Sequence, residues 1–512
     1  MSIKCLASQR AARTRLTRRA ALRLAAAATA GGFATTVLHA ASARADGTES
    51  QPQSPVQTPS AGFDALDAQV RAAMAAAGVP GAAVGVLYRG QEYVAGYGVT
   101  NVDYPLPVDA DTLFQIGSIT KTFTMAAAMR LVEGGRLALD EPIRRYLPDL
   151  QMSDPEVAAR VTMRHLFTHT SGLPADNFAP MGGGDDALAQ YVAEEVPREP
   201  LILPLGRYPS YSNIALSMAG RVIEVVSERP YEEVIRQLLF EPLGMERATF
   251  FPADAIIFAT AAGHTVLDGK PFRQRPWALP RTANAAGGIV VSVREMLRYA
   301  RLWLSGGVSP DGARLLTPDS LVQIGTPQSR QPADPTAFGL SWALADENGV
   351  AVWAHDGGTF GQNSRLLIAR ERDFAYCALT NVAAGSAVLG AGQLWATENL
   401  LGISPSASPA PSPVPLDAAA LAAYVGEYEN PGEARYVLRV RDEGLELTSR
   451  IVDPVFAQIQ PPVPDPPPGQ LAFSAPDILY VIDEPKVRSA FLRNPDGSIA
   501  GLFFGGRFNV RR

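Results

Sequence analysis

The chain has 512 residues, 47% hydrophobic and 19% charged, with 45 Gly and 42 Pro. That excludes a single small scaffold and a disordered, collagenous or coiled-coil chain, and points to two or three folded domains. Of the two cysteines, Cys5 lies in an N-terminal segment read here as removed, which leaves Cys377 alone and no internal disulfide.

Residues 1–45 carry eight cations (Lys4, Arg10, Arg13, Arg15, Arg18, Arg19, Arg23 and Arg44) and no acid. An Ala-rich, mildly apolar run follows from Leu24 and ends in Ala43-Arg44-Ala45. This reads as a cleaved export signal, so the mature chain is expected in the periplasm or outside the cell. Thr17-Arg18-Arg19-Ala20-Ala21-Leu22-Arg23 resembles the twin-arginine motif, with Ala21 where an aromatic is usual. A weak Sec signal and a retained basic helix are the alternatives. With the eight cations gone, 37 of 45 remain against 51 acids, and the formal charge falls from −6 to −14. Nucleic acid is therefore not an expected partner. No other stretch reaches ~18 uninterrupted apolar residues, so no membrane insertion of the mature chain is expected.

Two spacers divide the rest. Residues 46–61 are rich in Ser, Gln and Pro, and residues 403–415 alternate small residues with proline. They separate a large unit, 62–402, from a smaller one, 416–512. The large unit opens with an amphipathic helix over 63–77 and a hairpin, 82–88 and 92–97, turning at Arg89-Gly90. Helical patterns fill the middle at 117–133, 185–195, 213–228 and 292–304. Strands return at 339–345, 350–354, 364–369 and 374–380, before a helical run at 383–401. The pattern predicts an α/β (α+β) unit, an antiparallel sheet assembled from both ends and flanked by helices, with an inserted all-α region. The smaller unit alternates strands, at 436–441, 445–449, 478–482 and 489–492, with turns, and reads as a small β-barrel.

Chemistry concentrates at Gly117-Ser118-Ile119-Thr120-Lys121. A serine hydroxyl needs a base to take its proton, and on a helix i and i+3 share a face, so Lys121 can reach Ser118. At a helix start, Ser118 would also sit among free N–H groups suited to charge developing on an attacked carbonyl. Such a pair alone is weak evidence, because Ser and Lys three apart are common on solvated helices. Two further elements follow in order: Tyr211-Ser212-Asn213, and His355-Asp356-Gly357-Gly358.

With these three motifs the chain resembles the serine β-lactamase and penicillin-binding-protein-like hydrolases, in the branch of class C β-lactamases, D-aminopeptidases and esterases. Phe114-Gln115-Ile116 before the serine, residues 164–174 (RHLFTHTSGLP) and Ala286-Gly287-Gly288 are similar to family text. The resemblance implies that Ser118 is the acylated nucleophile, Lys121 the proton acceptor or the group tuning it, and Tyr211 the relay to the leaving group. A tyrosine base needs a cationic neighbour, and Lys121 would supply one. Asn213 would bond Lys121 and the substrate's acyl amide. The N–H groups of Ser118 and Gly358 would form the oxyanion hole, Gly357 allowing close approach to the strand. A small-molecule or short-peptide substrate is implied, and no cofactor or metal.

The third motif departs from the commoner Lys, Thr or Ser, Gly. His355 resembles the aminopeptidase and esterase branch and keeps a hydrogen bonder whose charge depends on pH. Asp356 puts a carboxylate where the family would meet a substrate anion, unless it points away or caps a turn; facing the cleft, it would weaken the case for penicillins and for free D-Ala termini. His165 and His169 are spaced like zinc ligands, but no Glu follows His165 as HExxH requires, so they are read as shaping a turn under the serine. There is no GxSxG elbow. His264 reads as a loop residue, Cys377 as a small buried hydrophobe, and Trp353, on the strand face of His355, as core or pocket wall.

Tyr424-Val425-Gly426-Glu427-Tyr428 resembles the start of the lipocalin-like domains often appended to these hydrolases, which either border the cleft or act as tethered binding modules. Two classes of function remain: a serine hydrolase acting on an amide, peptide or ester, with β-lactamase or D,D-carboxypeptidase as a variant, and a non-catalytic binder of cell-wall peptides. A binder has no chemical need for Ser118, Lys121 and Tyr211 together.

Overall fold

Apolar alternation around Arg89-Gly90 yields the expected hairpin, with Gly81–Tyr88 (β1) paired to Gln91–Gly98 (β2) and positive φ at both turn residues, 50° and 77°. A computed structural model describes residues 62–403, 411–441, 444–462 and 465–512; the expected export signal and first spacer lie outside them. The hairpin is one side of an eight-stranded sheet completed by Ser329–Arg330 (β3), Ala337–Phe338 (β4), Ala343–Glu347 (β5), Val350–Thr359 (β6), Gln362–Ala369 (β7) and Phe374–Thr380 (β8). The order is β2-β1-β8-β7-β6-β5-β4-β3. All pairs are antiparallel, and the two ends of the large unit meet where β1 lies beside β8.

Helices Asp64–Ala77 (α1), Thr120–Glu133 (α2), Asn213–Ser227 (α3), Asn284–Gly287 (α4), Val293–Leu304 (α5) and Ser386–Ala396 (α6) flank this sheet. Side-chain alternation assigns the faces. Val350, Val352, Leu367, Ala369 and Tyr376 pack with α1 and α6, through Leu66, Val70 and Trp395. Trp353, Leu366, Ile368 and Cys377 pack on the opposite face with the helical middle, through Phe123, Leu297 and Trp303. The mixed α/β architecture is therefore the one the pattern predicts. Differences are local. The run at 339–345 becomes a strand only from Ala343, because Ser341 takes a left-handed φ of 55°. The run at 350–354 continues to Thr359.

One register detail creates the site. β5 pairs only with residues Val350 to Ala354 of β6, so from His355 onward β6 is bonded to β7 alone and its other edge is free.

The C-terminal unit is a closed barrel of eight strands, Gly426–Asn430 (β9), Ala434–Arg441 (β10), Gly444–Ile451 (β11), Gly469–Ala475 (β12), Ile478–Val481 (β13), Glu484–Arg493 (β14), Ile499–Phe504 (β15) and Arg507–Arg511 (β16). Each strand pairs with the next, and β9 closes on β16 with Tyr428 opposite Arg511. Tyr424, Tyr428, Phe473, Phe491 and Leu502 fill its interior, so it is a packed up-and-down barrel.

Candidate active site

The free edge of β6 faces the turn that carries Ser118. Gly117–Ile119 forms a single 3₁₀ turn that runs straight into α2. Glycine is required at 117, where φ is +50° and a Cβ would lie 2.6 Å from the backbone N and O of Gly358. Gly357 is as constrained, since its Cβ would meet the Ile116 carbonyl oxygen at 1.9 Å. Ser364 Oγ donates to that same carbonyl at 2.7 Å and ties β7 to the turn. Two glycine contacts thus set the serine backbone against the strand backbone, so the N–H groups of Ser118 and Gly358 belong to adjoining segments.

Lys121 lies one helical turn on, fully buried. Its Nζ is 2.9 Å from Ser118 Oγ and donates to the Ala286 carbonyl of α4 at 2.7 Å. Burial pushes its pKa well below the ordinary lysine value and Arg507 pushes the same way, against an upward pull from Asp176. The amine therefore gives up its proton more readily than an exposed lysine does, in the direction a base needs. Tyr211, 2% exposed, stands with its ring centre 4.8 Å from Lys121 Nζ and 4.4 Å from the His169 ring centre. Burial drives its phenol well above the ordinary tyrosine value, offset in part by a hydrogen bond with Ser118 and by Arg507. The tyrosine is thus a protonated hydroxyl, and the lasting cation on its ring is Arg507, 5.4 Å from the ring centre, in the place where the sequence suggested Lys121.

Asn213 opens α3, whose N-cap Ser212 accepts from the Ala215 N–H. Its amide donates to the Asp176 carboxylate, whereas Lys121 is held by Ser118 and the Ala286 carbonyl; the expected Asn213 bond to Lys121 is replaced by one to Asp176.

His355 and Asp356 part company because they point to opposite faces of β6. His355, 1% exposed, lies behind Tyr211 with ring centres 6.4 Å apart, and its Nδ1 donates to the Asp356 carbonyl at 2.7 Å. Burial, with Lys121 nearby, lowers its pKa to about 3, so it is neutral across the physiological range and not the pH-dependent group the sequence suggested. Asp356 faces the α6 layer and makes a two-point ion pair with Arg365, at 2.8 and 2.6 Å, directly across the ladder on β7. Asp356 thus lines the cleft, as one of the two sequence readings had it, but with its charge compensated by Arg365.

These groups share a cleft of about 990 Å³ including its mouth, lined by Ser118, Tyr211, Asn213, Asp356, Gly357 and Gly358, and not by His355. The sequence reading missed Asp176, Arg365, Phe456 and Arg507, which also line it. Phe456 and Arg507 come from the barrel, so that unit forms a wall of the cleft. Arg507 is 4% exposed and pairs with Glu433 and, at 3.5 Å, with Asp176.

The other expectations resolve simply. His165 closes a capping box with Thr162, and His169 Nδ1 accepts from the Ser212 N–H at 3.2 Å, both shaping the loop beside Tyr211. His264 is on a strand, His264–Leu267, not in a loop: it is buried and its Nδ1 donates to the Asn381 carbonyl at 2.8 Å. Cys377 is a buried strand residue whose thiol burial pushes up. Trp353 packs on Trp303 and Trp342 and does not line the cleft. Among the described residues no group of three or more His, Cys, Asp or Glu is placed to hold a metal, and no helix is long and apolar enough to cross a membrane.

The sequence pattern of the family described as Beta-lactamase matches residues 66–396. Penicillin-binding protein 4 of Amycolatopsis lactamdurans is 32% identical over 374 residues, 70% of this chain and 94% of that one. The chain belongs to the β-lactamase family. Members of this family are serine hydrolases, and the chain is one of them. A crystal structure of SurE with D-Leu is 25% identical with a TM-score of 0.66, over 88% of this chain and 99% of that one. That coverage takes in more than the family match, since a class C β-lactamase of Rhodobacter sphaeroides, at 23% identity and a TM-score of 0.54, covers 66% of this chain and 99% of its own.

Proposed function

We propose that the protein is an exported hydrolase that forms an acyl-enzyme on Ser118 and cleaves an amide, peptide or ester bond, with peptides containing D-amino acids among its substrates. The observation that carries this reading is the buried Lys121 amine 2.9 Å from Ser118 Oγ, its pKa pushed down by burial. Lys121 Nζ takes the hydroxyl proton as Oγ attacks the carbonyl, and the N–H groups of Ser118 and Gly358 receive the developing oxyanion. Tyr211, protonated in the resting site, passes its proton to the leaving group and regains one from Lys121. Water then attacks the ester by the same groups in reverse. Asn213 would meet the acyl amide and Asp356 the far side of the scissile bond. The likeness to a structure of SurE with D-Leu supports a substrate that contains a D-residue. No step calls for a cofactor or metal.

The test is labelling with a fluorescent fluorophosphonate together with a hydrolysis screen of D-aminoacyl amides, short peptides, p-nitrophenyl esters and a chromogenic cephalosporin. Ser118→Ala is expected to abolish labelling and turnover with its fold intact, and Lys121→Ala and Tyr211→Phe to lower turnover by about 10² or more. Normal turnover by Ser118→Ala, or a folded wild type that neither labels nor turns over, refutes it; the latter outcome would favour the peptide-binding alternative.

A further inference from the structure

The cleft has an arm whose residues move no proton in the proposed chemistry. It runs past Ser118 between the ends of β6 and β7 and the start of α6, and is lined by Asp356, Asn363, Arg365, Ala383, Ser386 and Leu389. Its floor is the Asp356–Arg365 pair. The two residues are direct cross-strand partners on one face of the sheet, and both carboxylate oxygens are engaged, by Nε at 2.8 Å and Nη2 at 2.6 Å. The Arg365 Nη1 donates to Gln393 of α6 at 3.0 Å. Arg365 is thus held on three sides and its side chain is only 7% exposed, whereas that of Asp356 is 34% exposed and forms the surface a ligand meets.

A guanidinium fork recognises one carboxylate best, in this two-point geometry. Here the carboxylate comes from the chain itself. A substrate carboxylate entering the arm would have to displace Asp356 or lie against it, and two carboxylates on one guanidinium repel. A neutral group meets no such opposition, and a cation meets an acceptor edge held rigid by Arg365.

We propose that Asp356 is a built-in substitute for a substrate carboxylate. By occupying Arg365 it sets specificity, closing this arm to anionic leaving groups and leaving it open to neutral and cationic ones. The inference rests on the hydrolase reading above and deepens it. The position of the arm supports it beyond the pair itself. The arm lies on the α6 side of β6, away from Lys121 and Tyr211, so its occupant is the part of the leaving group remote from the atom that receives the proton.

The experiment uses one D-acyl group joined as a thioester to three thiols, mercaptoacetate, N-acetylcysteamine and thiocholine, which leave as an anion, a neutral and a cation. Hydrolysis breaks the acyl C–S bond, water supplies the hydroxyl of the acid, and the thiol departs with a proton. The wild type is expected to turn over the thiocholine and neutral esters with higher kcat/KM than the mercaptoacetate ester. In Asp356→Asn, which keeps the side-chain shape, the ratio of mercaptoacetate to thiocholine is expected to rise by about tenfold or more. Adding Arg365→Gln to that variant is expected to remove the gain, and the free carboxylate succinate should inhibit Asp356→Asn but not the wild type.

A wild type that prefers the mercaptoacetate ester overturns the proposal without any variant. An Asp356→Asn ratio equal to that of the wild type overturns it as well. Hydrolysis of none of the three esters by a folded wild type, with Ser118→Ala indistinguishable from it, is instead the failure of the hydrolase reading.

Discussion

The charge on Lys121 is the quantity on which the proposed chemistry turns, and two neighbours of opposite sign allow it to be moved in both directions. The amine serves as a base only when uncharged, so kcat/KM should rise with pH through the Lys121 pKa and level off above it. Arg507 pushes that pKa down and Asp176 pulls it up. Lys121 Nζ lies 4.8 Å and the Arg507 guanidinium 5.4 Å from the centre of the same Tyr211 ring, which puts the two cations no more than about 10 Å apart. At that distance and an effective dielectric of 20, a like charge is worth about 1.7 kcal/mol, roughly one pH unit. Arg507→Met removes the cation and leaves Glu433 and Asp176 without it, both of which favour charged Lys121, so the acid limb should move about one unit to higher pH. Asp176→Asn should move it to lower pH. The assay is kcat/KM for a neutral ester from pH 4 to 9, on variants whose folding is checked by thermal melts. An acid limb that stays fixed in Arg507→Met, or that moves the same way in both variants, means that the titrating group is not Lys121.

Two further outcomes follow from the same chain. Burial first, and Asp176 second, raise the Asp453 pKa to about 7. The folded state therefore holds that proton more tightly than the unfolded chain, and stability should fall as pH climbs from about 4 to 7, by up to about 4 kcal/mol. Asp453→Asn preserves an acceptor for the Val455 and Phe456 N–H groups, and should raise Tm more at pH 8 than at pH 5; an equal gain at both would refute the titration. Replacing Arg18 and Arg19 by lysine should block export of a mature chain beginning at Asp46, and unchanged export would remove the twin-arginine reading.

What the sequence made legible follows from how far apart the interacting residues are. Ser118, in the 3₁₀ turn, and Lys121, at the start of α2, lie one helical turn apart, so their spacing alone predicts their contact. The sheet and its flanking helices follow from apolar alternation, and strand parity already separates His355 from Asp356. Arg365 escapes that reading because the partner of Asp356 depends on the register of β6 against β7, which no local pattern fixes. Arg507 and Asp176 meet only through tertiary packing of the barrel on the large unit. Charge states were hidden for a related reason. Lysine, tyrosine and histidine carry ordinary values in a sequence, and burial, which lowers the pKa of Lys121 and His355 and raises that of Tyr211, is a property of the folded site.

The placement of the barrel decides between the two roles its sequence left open. A module tethered by a spacer would contact the large unit at its own surface, whereas here the contacts fall on the segments that carry the site. The Tyr211 N–H donates to the Gly506 carbonyl at 3.1 Å, and the Phe508 N–H to Ser210 Oγ at 3.1 Å. The Ala175 N–H donates to Asn430 Oδ1 at 2.8 Å, while the Asn430 amide donates to the Phe508 carbonyl at 2.9 Å, so one barrel side chain links Asp176's neighbour to β16. Gly432 approaches so closely that a Cβ would lie 2.3 Å from the Asp176 carbonyl. Between these bonds sits a buried group in which Asp176 and Glu433 face the single guanidinium of Arg507. Breaking one side of such a group is costly, because the remaining charges stay buried. The barrel therefore holds Tyr211 in position through its own backbone, and Asn213 through Asp176. Disturbing it should act first on the charge of Lys121, well before it unfolds the sheet.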